Sequence, residues 1–476
     1  MPDQELSSYG SARGMNRRAL LQAAGLGAGA LAAGGAAAGR AQAATPAGAD
    51  PRSGPAAVAV DAPAAAASAE LPLIGGPDFP VGLFWPPHPY ETTLARYQEI
   101  ADAGFTFLIT GNYQFDARSA AYALGLADQV GLKVLVAGDP RIQAIAQYMT
   151  VTDDRTVPSS ITTADATSWV RTSLGGYTSH PSLAGVSVYD EPSRVRFPTV
   201  GALTGIVRSV APALLPYANI NRGNGATYAD FVQTYVDTAG PALISFDRYP
   251  ILTDGIDTDY FDTWAIVRAA ALKAGVPAWT YIQSTGYNSH RVPTASQLAW
   301  QVNVSLAYGC KGIQYFTYWT PDPARGEGYT QALITTDGRR TPLYDAATTL
   351  NTGWLQPVGR QLKPLVSESV QHANDTPAPT GTTPFTPGDQ ITAVTGDAAI
   401  LGLFRAADDD GTRHLLVVNR DPDAPASVRI RLDPAHVASA AAFSPADAAY
   451  GTPDASGAIA LQLLSGAAAL YRLAPN

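Results

Sequence analysis

Cysteine is nearly absent: Cys310 stands alone among 476 residues. A single thiol forms no intramolecular disulfide and no cysteine-built metal centre. In the run GCKGIQYF it reads as a small buried hydrophobe. Histidine is scarce too. The six, His88, His180, His290, His372, His414 and His436, show no ligand spacing such as HxxxH, so no metal site and no other resident cofactor is expected. No glycine-rich phosphate loop follows the first apolar run. Charge is thin, with 15% Asp, Glu, Lys and Arg, and the balance is negative at −9. No Lys/Arg block stands out beyond the first forty residues, so the electrostatic footprint of a nucleic-acid or anionic-membrane partner is missing. With 46% hydrophobic residues, the chain reads as a globular protein whose ligands are neutral.

Strongly apolar runs of about twenty residues, which a transmembrane helix needs, are also missing. The stretch MNRRALLQAAGLGAGALAAGGAAAGRAQAA, from Met15, carries Arg17 and Arg18, a soft Ala/Gly/Leu region and an A-x-A site at Ala41, Gln42 and Ala43. This predicts a twin-arginine export signal over 1–43, with Met15 as a start site, and a secreted or extracytoplasmic mature protein without a membrane anchor. Such export carries folded proteins, which agrees with a chain that has no disulfide to form outside the cytoplasm. Residues 44–70, rich in Ala, Pro and Gly without periodicity, read as a disordered linker.

From Leu71 short apolar runs alternate with amphipathic stretches. Eight strands are expected: Val81 to Trp85, Phe105 to Thr110, Leu132 to Ala137, Ala184 to Tyr189, Pro216 to Ile220, Ala242 to Asp247, Ala278 to Gln283 and Gly312 to Tyr318. Helical patterns between them include Thr92 to Ala103, Ala117 to Val130, Pro198 to Val210, Tyr228 to Ala239, Phe261 to Ala274 and Ala295 to Ala307. Tyr148, Trp169 and Trp264 sit in helical patterns as core residues, and Arg268 and Lys273 on a solvated face. Eight βα repeats over 71–365 predict an α/β fold, a (β/α)₈ TIM barrel closed by a helical stretch over Gly338 to Leu365. Residues 366–476 show short alternating runs split by Gly, Pro and Asp turns, which predict a C-terminal antiparallel β-sandwich. That accessory domain either caps the barrel or binds carbohydrate.

A barrel of this kind keeps its chemistry at the carboxyl ends of its strands. In strand order those ends bear Trp85, then Asn112 and Tyr113, Asp139 and Arg141, Asp190 and Glu191, Asn221 and Arg222, Asp247 and Tyr249, Tyr281 and Gln283, and Tyr318 and Trp319. Aromatic faces among amides, carboxylates and guanidinium groups are what polyhydroxylated rings require. A carbohydrate is therefore the expected partner. Glutamates number only seven, and of these only Glu191 and Glu327 fall at the expected top of the barrel. Glycoside hydrolysis needs two carboxyl groups across the glycosidic bond.

The motif YDEP closing the fourth strand, with an aromatic seventh strand and a Tyr-Trp pair closing the eighth, resembles the large clan of (β/α)₈ glycoside hydrolases that includes cellulase-like and β-galactosidase-like families. The resemblance covers about Leu71 to Leu365. It implies a secreted glycosidase with Glu191 as general acid/base, Asp190 standing where Asn is usual. The nucleophilic glutamate of that clan would end the seventh strand, where this chain has Gln283, and an amide forms no glycosyl-enzyme ester. Such a chain would belong to an atypical family. The second carboxylate is then Asp247, in FDRYP, or Glu327, in PARGEGY. Asp247 is preferred because a strand end positions a group better than a Gly-flanked loop. The alternative is a barrel that binds sugar without cleaving it. Asp190 is open to a structural or a functional reading.

Overall fold

The computed structural model describes residues 70–151 and 161–476. The expected export signal, and all of the expected linker but Glu70, lie outside the described residues. Among the described residues, no helix is long and apolar enough to cross a membrane.

Eight strands, β1 (Val81–Phe84), β2 (Phe107–Ile109), β3 (Lys133–Val136), β4 (Leu183–Asp190), β5 (Leu215–Ile220), β6 (Ile244–Asp247), β7 (Ala278–Gln283) and β8 (Gly312–Phe316), close into one parallel barrel, with β8 returning to β1. The expected strands are all there, with small shifts at their ends. They were visible because a parallel strand covered on both faces is mostly apolar rather than alternating. Outside them run α1 (Leu94–Asp102), α2 (Ala117–Val130), α3 (Pro140–Tyr148), α4 (Thr163–Gly175), α5 (Phe197–Val210), α6 (Gly225–Ala239), α7 (Tyr260–Ala274) and α8 (Ala295–Ala307). A closing pair, α9 (Pro342–Leu350) and α10 (Gln356–Leu362), follows β8.

Local chemistry sets the helix ends. Asp116 caps α2 by accepting from the Arg118 and Ser119 amides at 2.8 and 3.0 Å, and Gly131 ends it in the left-handed region. Inside the barrel large residues face glycines. A side chain at Gly82 would enter the Phe107 ring, and one at Gly312 the Trp279 ring, so these two positions taper the interior. Trp264 is wholly buried as expected, but Tyr148, at the end of α3, is 44% exposed. Lys273 does reach solvent. Arg268 does not lie on a solvated face: it turns toward the next domain and donates to Ser367 Oγ at 2.8 Å.

Two antiparallel sheets follow. One has the order β9 (Val366–Ala373), β11 (Ala399–Arg405), β12 (Arg413–Asn419), β16 (Ala468–Pro475), β14 (Val437–Ser444) and the short Ala449–Tyr450; the other is β10 (Ile391–Gly396), β13 (Ala426–Leu432) and β15 (Ala458–Leu463). Strand β13 alternates buried and exposed residues as a one-sided strand should. The larger sheet is apolar on both faces. Leu401, Leu415 and Val417 meet the smaller sheet, whereas Ile400, Phe404, Leu416 and Val418 join the barrel's outer core. They do so against α8, where Trp300 Nε1 donates to the Arg420 carbonyl at 3.1 Å and Asn303 Nδ2 to that of Gly466 at 2.9 Å.

Candidate active site

Backbone geometry singles out the carboxyl end of the barrel. Trp85, Asn112, Tyr113 and Glu191, each just beyond a barrel strand, have φ of 63°, 50°, 71° and 48°. Non-glycine residues held in the left-handed region carry strain that the surroundings must offset, and such residues gather at functional sites.

Strand β4 carries a bulge between Ser187 and Tyr189, which sets Asp190 level with Asn219 of β5. Residues level with one another on parallel strands share a face, so Asp190 lies on the inner face with Asn219. Glu191 follows, buried at 8% exposure, its backbone N–H donating to the Asn219 carbonyl at 2.8 Å. Asn219 itself is wholly buried, and its Nδ2 donates to Asp247 Oδ1 at 2.8 Å. One asparagine thus touches the backbone of the first candidate carboxylate and the side chain of the second.

Behind Asp247 a polar chain crosses the barrel. Ser245 Oγ donates to Asn219 Oδ1 at 3.0 Å and lies 2.8 Å from the Tyr217 hydroxyl. That hydroxyl receives Gln314 Nε2 at 2.9 Å and lies 3.2 Å from the Tyr281 hydroxyl. A chain of this kind, inside a low-dielectric core, fixes the side chain at its end more firmly than isolated pairs would.

Glu327 comes from the loop after β8. Its neighbour Arg325 stacks 4.4 Å over the Trp85 ring and 5.9 Å over Tyr113. Tyr329, on its other side, stacks on Tyr287 at 5.2 Å. Glu327 is 6% exposed, and neither carboxyl oxygen completes a well-formed hydrogen bond. Burial pushes its pKa above the usual carboxylate range, against the opposing pull of the Tyr329 hydroxyl and Arg325. His290, stacked on Tyr287 at 4.7 Å, has its pKa lowered by burial and by the Arg222 charge.

Several residues expected in the cleft serve the frame. Asn112 Nδ2 donates to the Pro86 carbonyl at 2.8 Å and ties the first two loops together. Asp139 caps α3 through the Arg141 and Ile142 amides and accepts from Ser173 Oγ at 2.9 Å and the Tyr177 hydroxyl at 2.7 Å. Gln283, wholly buried, spends its amide on three bonds: Oε1 accepts from Ile251 N at 2.9 Å, and Nε2 donates to the Ile251 and Arg291 carbonyls at 3.0 and 2.8 Å. Tyr318 packs edge-on against Phe105, and Trp319 lies between His88 and Arg96, both in the outer core.

Tyr249 and Tyr281 stay in the inner cluster, where Tyr249 stacks on Phe316 at 5.0 Å. Tyr113, Arg141, Asn221 and Arg222 are exposed at the rim. The residues that sequence reasoning missed are Asn219, Phe316, Tyr287, His290 and Tyr329. Asn219 lies within its strand rather than at its end. Tyr287 and Tyr329 carried a signal, aromatics in Gly-flanked loops after the last two strands. Among the described residues, no group of three or more His, Cys, Asp or Glu could hold a metal ion.

No protein-family model matches the chain, and no curated protein does. Solved structures do. A putative α-galactosidase from Bacteroides fragilis is 11% identical, with 84% of this chain and 79% of that one covered and a TM-score of 0.50. A glucosidase from Croceicoccus marinus is 13% identical, covering 83% and 96%, with a TM-score of 0.44. An endo-β-1,4-mannanase from Thermotoga petrophila is 10% identical, covering 81% and 97%, with a TM-score of 0.40. At such identities the likeness is one of fold.

Proposed function

We propose that this protein is a glycoside hydrolase that cleaves O-glycosidic bonds of an oligo- or polysaccharide in the mouth of the barrel. Glu191 is the general acid in this reading. Asp247 is the base or nucleophile, with Glu327 as the lesser candidate. The observation that carries it is the Asn219 bridge between the two carboxylate-bearing strand ends. Glycoside hydrolysis needs one carboxyl group to protonate the leaving oxygen and a second to attack or to activate water. The Bacteroides fragilis structure with this fold is itself described as a putative α-galactosidase, which supports the reaction class by analogy.

Strands β4 and β6 flank β5, so their backbones stand roughly 9 to 10 Å apart. The separation of the carboxyl groups decides the stereochemistry, about 5 to 5.5 Å giving retention and about 6.5 to 9.5 Å, with room for water, inversion. Among the aromatics Trp85, Tyr113 and Tyr249, it is Tyr113, 44% exposed at the rim, that offers a face on which a sugar ring stacks. Export through a signal over 1–43, a catalytic barrel over 71–365 and an accessory sandwich over 366–476 belong to the same proposal.

The second reading, a barrel that binds sugar without cleaving it, is favoured by one observation: the amide of Gln283 is consumed in the frame where a second carboxylate would be usual. Glu191→Gln separates the two. In the hydrolase reading, the wild type releases sugar from a glycan panel and the variant loses that activity by about 10²-fold or more while still binding. Equal behaviour of the two proteins would remove Glu191 from the chemistry. NMR of the first-formed anomer reads inversion or retention.

A further inference from the structure

At the opposite end of the barrel from the mouth, a cavity of about 650 Å³ lies between the second half of α7, the lead-in to β8 and the link from α10 to β9. That volume is typical of a small-molecule site. Its wall is mainly apolar, with Leu272, Val276, Trp279, Leu365 and Val366 among its residues. Set into it are Arg268, Lys311 and Lys363, and no Asp or Glu lines it.

Each cation is held by neutral oxygens. Lys311 Nζ donates to the Leu362 and Leu365 carbonyls at 2.6 Å each. Lys363 Nζ donates to the Gly76 and Asp78 carbonyls, and the Asp78 carboxylate is itself paired with Arg360 at 2.7 Å. Arg268 donates from Nε to Ser367 Oγ and from Nη2 to the Ser367 carbonyl. An ammonium has three N–H groups and a guanidinium five, so each of the three retains a donor. Carbonyls orient a cation without neutralising it, and charge kept in an apolar wall is costly until a counter-charge arrives. Burial shows the cost: it lowers Lys311 to about 7 and Lys363 to about 8, and it lowers Arg268 as well. The indole N–H of Trp279, in the same wall and wholly buried, has no acceptor.

We propose that this basal cavity binds an amphiphilic organic anion, its acidic head group taken by Arg268, Lys311 and Lys363 and its apolar body packed along Leu272, Val276 and Leu365. The ligand joins α7, the lead-in to β8 and the first sandwich strand, and so fastens the base of the barrel to the sandwich. The site is remote from Glu191 and independent of the reaction proposed above.

The test is titration calorimetry of the full chain with three probes: decanoate, decan-1-ol and acetate. Decanoate is expected to bind at least tenfold more tightly than either of the others, which lack the charge or the body. Lys363→Gln and Lys311→Met should each weaken decanoate at least tenfold. Leu272→Trp, a change at a rim residue 43% exposed, should block it while every cation remains, which keeps the test decisive if Lys311→Met fails to fold. The proposal is overturned if decanoate does not bind, if decan-1-ol binds equally well, if acetate matches it, or if both Lys363→Gln and Leu272→Trp leave its affinity unchanged.

Discussion

Gln283→Glu restores the residue that clan resemblance would put at the end of the seventh strand, and the structure gives a reason for it to harm the protein. The Gln283 amide holds both backbone groups of Ile251 and the carbonyl of Arg291. It thereby clamps the two-residue strands Ile251–Leu252 and Gly255–Ile256 and the chain after β7 to the barrel wall. A glutamate of the same shape keeps the bond from Ile251 N but turns both donated bonds into oxygen facing oxygen. The Ile251 carbonyl keeps the Arg291 N–H at 3.2 Å, whereas the Arg291 carbonyl is left without a donor, and each such buried group costs about 1–3 kcal/mol, so the expected loss at neutral pH is roughly 2–3 kcal/mol. Protonation returns one donor. The introduced carboxyl, buried beside carbonyls, has its folded-state pKa raised above its unfolded value of about 4.3. The deficit is therefore smallest below that value and grows as pH rises through the folded one. Urea unfolding followed by near-ultraviolet circular dichroism at several pH values measures it. An unchanged midpoint at neutral pH, or a gain of anomer-retaining hydrolysis, would refute the clamp.

Asp139→Ala should cost about 2–4 kcal/mol, because it uncaps α3 and strands the Ser173 and Tyr177 hydroxyls; kcat per folded molecule should stay within about twofold, and a collapse of kcat with stability intact would put Asp139 back in the cleft. Asp247→Asn should cut hydrolysis by about 10²-fold or more, whereas Glu327→Gln should keep it within about tenfold; the reverse order in product-release assays would make Glu327 the partner of Glu191. Glu327→Gln has a second readout. Burial raises the folded pKa of Glu327, so its ionised form weakens the fold as pH rises through that value. The variant should be more stable than wild type at neutral pH and equal to it well below pH 4, as thermal unfolding across pH will tell.

The barrel was legible because each strand is a short, largely β-branched or apolar run between amphipathic stretches, its few inward polar residues too sparse to hide the pattern. The site was legible only in outline. Chain position announces that a residue follows a strand, but not which way its side chain turns. Strand β8 ends at Phe316, and beyond it the pleat no longer governs. Tyr318 and Trp319 face the outer core while Phe316 faces inward. The bulge at Ser187 and Tyr189 shifts the alternation in β4, and nothing in LAGVSVYD marks it. Gln283 and Asp139 look like ligand-binding groups by type, yet their partners are the backbone of Ile251 and Arg291 for the one, and a helix cap with hydroxyls on α4 and beyond for the other. Asn219, buried inside NI of the fifth strand, reads as an ordinary strand residue until its neighbours are seen together.

Helix α8 has almost no face for water. Leu298, Trp300, Val302, Val304 and Leu306 are all wholly buried, and Gln297 and Asn303 nearly so. A helix buried on every side needs cover on every side. Half of that cover is β11, β12 and the turn before β16, where Trp300 meets Arg420 and Asn303 meets Gly466 across 120 and 163 residues of sequence. A chain synthesised from its amino end therefore completes eight barrel strands while one helix still lacks its outer wall, and exposed apolar surface of that kind invites aggregation. The tether shortens the interval, since a covering sheet on the same chain arrives at high effective concentration. Before any role in holding a ligand or shaping a cleft, strands β9 to β16 escort the seventh βα unit to its folded state.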